Sequence, residues 1–283
     1  NKERVIAETE KIVSILYRRY TAPLLCTRDH KILIKQTENS MPIWIEAKDI
    51  RYGNYVLMPK IKSREDATYL HEINTSSSKI FKETFEGALG TQKNGRLLSI
   101  PTKLKVTEDL LFVFGWYIAE GFTRTQENVC GRFVSFSGHR DEKPILEKIQ
   151  GILEKTFGVT CSIYESLSSF SVELRAYSAE LAQFFHDSFG HNAYTKHLPS
   201  FIDKMSAVQK EILFQAYIDG DGYKRNKQVE WVTVSTILAG QLAALATELG
   251  YISTLRCVDN GSINDGQWIG CYSKTTHNKR SCN

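Results

Sequence analysis

Glu120 and Asp221 hold equivalent places in two similar segments, Gly115-Trp116-Tyr117-Ile118-Ala119-Glu120-Gly121 and Ala216-Tyr217-Ile218-Asp219-Gly220-Asp221-Gly222. In each, small residues recur at helical i, i+4 spacing, Gly115 with Ala119 and Ala216 with Gly220, which leaves one helix face bare enough for two backbones to approach closely. A glycine follows each acid, as expected where a helix ends in a left-handed cap. Packing on the small faces would set the two carboxylates side by side at two helix C-termini. They would repel each other and feel the negative ends of both helices, so the arrangement calls for a cation. Carboxylates with nearby peptide carbonyls are hard oxygen ligands suited to Mg²⁺ or Mn²⁺. Such a centre suits phosphodiester hydrolysis, because a bridging metal activates water and stabilises the leaving oxygen.

The elements around each acid recur in the same order. Thr107 is placed to cap a helix through Leu110 to Gly121; a strand-like Arg132 to Ser137, a helix from Pro144 to Phe157 ending at Gly158, and two alternating segments follow. In the clearer segment Phe170, Val172, Leu174 and Ala176 alternate with Ser171, Glu173 and Arg175, the pattern of a half-buried strand. A helix from about Ala179 to Phe189 closes the unit. From Gln209 the order begins again: a helix to Gly222, a strand at Trp231 to Ser235, a helix from about Ile237 to Leu249, and strands at Ile252 to Val258 and Trp268 to Tyr272. A repeat of about 100 residues is too long for a solenoid unit and predicts two pseudo-symmetric half-domains, the second without a final helix.

Upstream the style differs. Residues 1 to about 60 read as a β-rich unit, with Lys31 to Ile34 and Tyr55 to Met58 as short apolar runs, and Pro42, Gly53 and Pro59 as punctuation. From about 61 to 100 the chain is polar, with Thr75 to Ser78 and Gln92 to Arg96, and predicts a long loop or linker. The domain boundary is expected near residue 105.

Composition sets the outer limits. The 283 residues, 42% hydrophobic and 24% charged, suffice for two units. The chain shows neither an apolar run of about 18 residues nor a signal-peptide pattern at Asn1-Lys2-Glu3-Arg4, so a soluble intracellular protein is expected. Its six cysteines include no C-x-x-C pair and no matching His spacing, which leaves a zinc site or disulfide framework unsupported. With 36 basic residues against 32 acidic ones, the net charge of +4 permits a nucleic-acid partner without demanding one.

The two acid-bearing segments resemble the paired motifs of LAGLIDADG homing endonucleases, over residues about 106 to 283. The resemblance implies an α+β fold with two αββαββα-like halves, about 106–205 and 206–283, whose antiparallel strands form a saddle in the DNA major groove. It implies Glu120 and Asp221 as catalytic metal ligands, with the carbonyls of Ala119 and Gly220 beside them and Mg²⁺ or Mn²⁺ as cofactor. The stretch Tyr194-Thr195-Lys196-His197-Leu198-Pro199-Ser200-Phe201 resembles the place where intein endonucleases carry an active-site lysine, here Lys196; Lys274 and Lys279 are candidates for its second-half partner. Arg132, Arg175, Lys224, Arg225, Lys227 and Arg256 are the candidate DNA contacts. The implied partner is double-stranded DNA with a long asymmetric site, engaged by a monomer because one chain carries both halves.

In the N-terminal unit, Thr27-Arg28-Asp29-His30 resembles the T-x-x-H block of intein and Hedgehog-type self-splicing domains, and the stretch from Trp44 to Val56 resembles the segment that follows it. Residues 1–105 are therefore expected to be an incomplete all-β Hint-like domain with a polar linker. Splicing also needs a first-position Cys or Ser and a terminal His-Asn, whereas Asn1 and Ser281-Cys282-Asn283 stand here; His277-Asn278 is followed by Lys279. As written, the chain is not expected to splice. A site-specific, metal-dependent endonuclease is the leading expectation. A non-cleaving DNA-binding relic, an RNA maturase of the same fold, and a self-splicing longer parent are the alternatives.

Overall fold

The computed structural model describes residues 12–15, 24–57, 64–70, 82–83, 88–93, 96–101, 104–126, 131–166, 170–225, 228–258 and 267–273. The N-terminal part consists of short antiparallel strands: β1 (Ile12–Ile15) pairs with β2 (Leu24–Thr27), and β3 (Lys31–Lys35) lies between β4 (Ile43–Glu46) and β5 (Tyr55–Val56). Alternation along β3 buries Ile32 and Ile34, which with Ile15 and Ala47 form a small separate core.

The stretch read as a loop carries strands. β6 (Tyr69–Leu70) pairs with a later strand, β10 (Leu104–Lys105), while β7 (Lys82–Glu83), β8 (Ala88–Lys93) and β9 (Arg96–Pro101) form a three-stranded sheet. The β8–β9 register ends at the Lys93–Arg96 pair, and the two residues between them in the sequence, Asn94-Gly95, are a dipeptide favoured in two-residue hairpins. Polar composition had hidden that signal. Thr75 to Ser78 lies outside the described residues.

Residues 64–70 dock on the C-terminal unit. The Ala67 amide donates to Gln209 Oε1 at 2.9 Å, Gln209 Nε2 donates to the Ala67 carbonyl at 2.8 Å, and the Ser206 hydroxyl donates to Asp66. Leu70 and Leu104 belong to the larger core, which therefore reaches back across the boundary expected near residue 105.

That core is shared by two halves of matching order. The first runs α1 (Glu108–Glu120), β11 (Gly121–Arg124), β12 (Phe133–His139), α2 (Lys143–Phe157), β13 (Thr160–Glu165), β14 (Ser171–Tyr177) and α3 (Ala179–Phe189). The second runs α4 (Ala207–Asp221), β15 (Gly222–Arg225), β16 (Gln228–Thr233), α5 (Thr236–Glu248), β17 (Ile252–Val258) and β18 (Gln267–Ser273). Both antiparallel sheets have the same strand order, β11-β12-β14-β13 and β15-β16-β18-β17. The short strands β11 and β15, directly after the acid-bearing helices, had escaped the element-by-element sequence reading.

Local chemistry sets the helix limits. The Thr107 side chain accepts from the Leu110 amide, and Ser206 and Gln209 form a reciprocal capping box at the start of α4. Gly158 ends α2 in the left-handed region at φ 64°, as expected. Phe170 departs from expectation: it precedes β14 at φ 53°, is 54% exposed, and lies under the Arg140 guanidinium, so burial begins at Val172.

Candidate active site at the ends of two packed helices

The helices α1 and α4 pack through their small residues. A Cβ on Gly115 would lie 2.6 Å from the Ala216 Cβ and 2.4 Å from the Leu213 carbonyl oxygen, and one on Gly220 would lie 2.7 Å from the Ala119 Cβ. Side chains of ordinary size are excluded along this seam, which holds the two C-terminal ends together.

The glycines after the acids serve a different purpose from the one expected. Gly121 (φ −86°) and Gly222 (φ −102°) are extended, not left-handed. Each helix passes straight into a strand, and a Cβ would strike the preceding turn, 2.5 Å from the Tyr117 carbonyl oxygen at position 121 and 2.4 Å from the Ile218 carbonyl oxygen at position 222. Glycine is required by close approach.

At the helix ends three charged groups converge. Burial, then repulsion from Asp221 and Glu142, pushes the Glu120 carboxyl up to about 7, against an opposing pull from Lys196. Asp221 keeps solvent contact at its outer edge, yet its surroundings push its carboxyl up to about 6, opposed by the Tyr217 hydroxyl and Lys196. Lys196 is only 3% exposed, and desolvation holds its ammonium well below the ordinary lysine range although both acids favour its charged form. Its Nζ donates to the Tyr117 carbonyl and stands 3.5 Å from the Tyr117 ring centroid. Glu120, Asp221 and Lys196, far apart in sequence, thus occupy one electrostatic site.

Residues 107–190 and 209–278, together more than half of the chain, match the LAGLIDADG-like domain family. The chain belongs to this family. Among its relatives are an uncharacterized protein of Methanocaldococcus jannaschii, 28% identical over 241 residues that make up 82% of this chain and 27% of that protein, and a DNA polymerase of Thermococcus aggregans, 30% identical over 182 residues, 64% of this chain and 9% of that one. The chain thus spans only a minor part of these relatives' length. A solved structure of mesophilic variants of the homing endonuclease I-DmoI is similar with a TM-score of 0.47 at 13% identity, covering 59% of this chain and 89% of that chain.

In this LAGLIDADG-like protein the basic residues singled out from the sequence have different surroundings. Arg175 lies in register with Ser135 and Ser162 on the sheet face away from the core, gripped by two hydrogen bonds to Glu173 (2.8 and 2.7 Å) and stacked 4.9 Å from both Phe133 and Tyr164. Arg132 is half-buried just before β12, and Arg256 is exposed on β17 opposite Ile269. Lys224 shares its register row with Val229, Tyr272 and Ser253, the core-facing row, and is ion-paired to Asp219 at 2.6 Å; Arg225 ends β15 in register with Gln228. Lys227, Lys274 and Lys279 lie outside the described residues. Thr27 ends β2 and its carbonyl accepts from the His30 amide at 3.2 Å, with the His30 side chain exposed; both lie among the N-terminal strands and neither belongs to the larger core.

Three residues near the site had given no functional signal in the sequence. Tyr117 and Tyr217 read as aromatic core on a helix, and both are fully buried. Glu142 reads as solvated charge; it lies in a short 3-10 turn, accepts from the His139 amide at 2.7 Å, and adds to the negative potential at Glu120.

Proposed function

We propose that this protein is a site-specific homing endonuclease of intein origin that makes double-strand breaks in DNA, with Mg²⁺ or Mn²⁺ bound by Glu120 and Asp221. The observation that carries the reading is the pair of carboxylates, both pushed above the ordinary range by burial and Glu120 also by the like charge of Asp221 and Glu142, facing a buried lysine at the ends of two packed helices. Two acids in that state lack positive charge. Among the described residues no third His, Cys, Asp or Glu joins them closely enough to complete a metal cluster, so the remaining ligands are peptide oxygens, water and substrate phosphate. The carbonyls of Ala119 and Gly220, in the last turns of α1 and α4, are the peptide oxygens we assign. This all-oxygen donor set fits a hard divalent cation.

When bound, such an ion supplies a water of lowered pKa and positive charge against the phosphodiester. Glu120 and Asp221 hold it and orient water through their free lone pairs. Lys196 brings its positive charge to bear on the charge that develops at phosphorus.

The partner we propose is duplex DNA lying across the two sheets. Arg175, Tyr164 and Tyr177 stand on the outer row of the first sheet, where the second presents Tyr223, Glu230 and Arg256. Unlike rows suit an asymmetric target read by one chain. Intein origin is supported by how little of the long relatives the chain matches, as an inserted element would, and we assign residues 1–105 to an incomplete Hint-like unit carrying Thr27 and His30. No helix of the described residues is long and apolar enough to cross a membrane.

The test is cleavage of plasmids bearing a library of candidate insertion sites, run with Mg²⁺ and with a chelator. Metal-dependent cutting at one long site is the expected result. Specific binding without cutting would overturn it in favour of a DNA-binding relic or maturase.

A further inference from the structure

Lys196 reaches the acids from a loop between α3 and α4, and a long flexible side chain on a loop needs something to hold it. Three features of Tyr117 converge on that task. Its carbonyl, which already accepts the Gly121 amide at the end of α1, also accepts Lys196 Nζ, so both lone pairs are used. Its ring lies beneath the ammonium, with the nitrogen 3.5 Å from the centroid. Its hydroxyl donates to the Gly190 carbonyl at 2.7 Å, with the Thr123 hydroxyl 3.3 Å away.

The last contact fixes the root of the loop. Gly190 sits at φ 80°, where a Cβ would lie 2.0 Å from the Thr195 carbonyl oxygen, so the chain folds back on itself there. The Lys196 amide then donates to the Asn192 carbonyl and the His197 amide to the Phe189 carbonyl, which closes the loop. Tyr117 is itself fully buried, its ring packed against Phe136, Phe185 and Phe189. At the matching place in α4, three residues before Asp221, stands Ile218, which offers neither ring nor hydroxyl. The repeated motif therefore does not require a tyrosine here.

We propose that Tyr117 is the positioning residue of the Lys196 ammonium, fixing it from below through ring and carbonyl and from behind through the loop root at Gly190. This rests on the catalytic reading of Lys196 given above. It extends that reading by saying what sets the lysine's geometry.

The experiment is single-turnover cleavage of the target by the full chain as wild type, Tyr117→Phe, Lys196→Met and the double variant, alongside DNA affinity. Tyr117→Phe keeps the ring and removes the tether. We expect its cleavage rate to fall about 10-fold or more with DNA affinity unchanged, since small misplacements of a reacting group cost this much, and we expect no further fall when it is added to Lys196→Met. An equal loss in both backgrounds would overturn the positioning role while leaving the endonuclease reading standing. Wild-type rates for Lys196→Met would overturn the positioning role together with the catalytic role of Lys196, and would leave the endonuclease reading standing. Should Tyr117→Phe fail to fold, Thr123→Val, which removes only the neighbouring hydroxyl, is expected to show a smaller loss with the same non-additivity, and an additive loss would again overturn the role. A readout free of catalysis is the Lys196 ε-methylene resonance, expected upfield in the wild type from the Tyr117 ring current and moved in Tyr117→Phe; identical shifts in the two proteins would overturn the proposal even if no cleavage were detected.

Discussion

The Tyr217 hydroxyl donates to Asp221 Oδ2 at 3.5 Å, while the corresponding place before Glu120 is held by Trp116, a residue that cannot make the same link. The two halves therefore present acids of unequal character to one site. The hydrogen bond favours the charged carboxylate of Asp221.

Removing it in Tyr217→Phe is expected to raise the Asp221 pKa and weaken divalent-ion binding by about threefold near pH 6, with recovery by pH 8 where the acid is ionised in either protein. Calorimetric Mn²⁺ titration at the two pH values checks this. An equal deficit at both would mean that the hydroxyl acts on geometry alone.

Glu120→Gln and Asp221→Asn preserve shape and remove charge. Each is expected to lower cleavage by at least about 100-fold while DNA binding persists, because the positive charge that the acids recruit acts on the transition state. Gel-shift and cleavage assays on one target separate the two effects. Full activity in either variant would exclude the metal assignment.

The pH dependence of stability has a definite sign. Glu120 at about 7 and Asp221 at about 6 both lie above the values such acids take in an unfolded chain, so the folded protein binds more protons between pH 4 and 7. Their contribution is fully present below pH 4 and is lost as pH rises through the folded values. Urea midpoints of the metal-free protein are therefore expected to fall from this source between pH 5 and 7.5, and Glu120→Gln should flatten that slope. Added Mn²⁺ should reverse the fall, since metal binding gains strength as the acids lose their protons.

Gly115→Val places two methyl groups where the Leu213 carbonyl and the Ala216 Cβ already leave no room. We expect a loss of roughly 3 kcal/mol, at the upper end for overpacked cores, with cleavage lost in parallel as the helix ends part. Urea unfolding measures the first and the plasmid assay the second.

Gln209 both completes the α4 capping box and holds Ala67 by two hydrogen bonds. Gln209→Ala is expected to cost about 1 to 2 kcal/mol, seen as a lowered urea midpoint, because both the cap and the strap lose partners.

Much of this architecture is legible in the sequence. The repeated Gly/Ala spacing announced the helix seam, and the paired acids announced the site, because both follow from the side chains alone. Helix α3 was expected from about Ala179 to Phe189, and it has those limits. What escaped depended on tertiary context. Tyr117 is an ordinary core aromatic until Lys196, 79 positions later, is folded over it. Lys196 on its own reads as a solvated residue, yet it is buried. Gly121 and Gly222 advertise a left-handed cap, and only the direct passage of helix into strand shows that contact, not handedness, selects them. The strands β8 and β9 were masked by polar composition, although Asn94-Gly95 between them carried the turn signal.

The Lys196 carbonyl accepts the Ser235 hydroxyl at 2.7 Å, and Ser235 is the residue that caps α5. Side chain and backbone of one residue are thus clasped by opposite halves, the ammonium by α1 and the carbonyl by the start of α5. A twist of either half against the other, as a bent duplex would impose, must drag the lysine relative to the acids. In the endonuclease we propose, recognition in one half-site would in this way be felt at the acid pair, with Lys196 as the linchpin between the two halves.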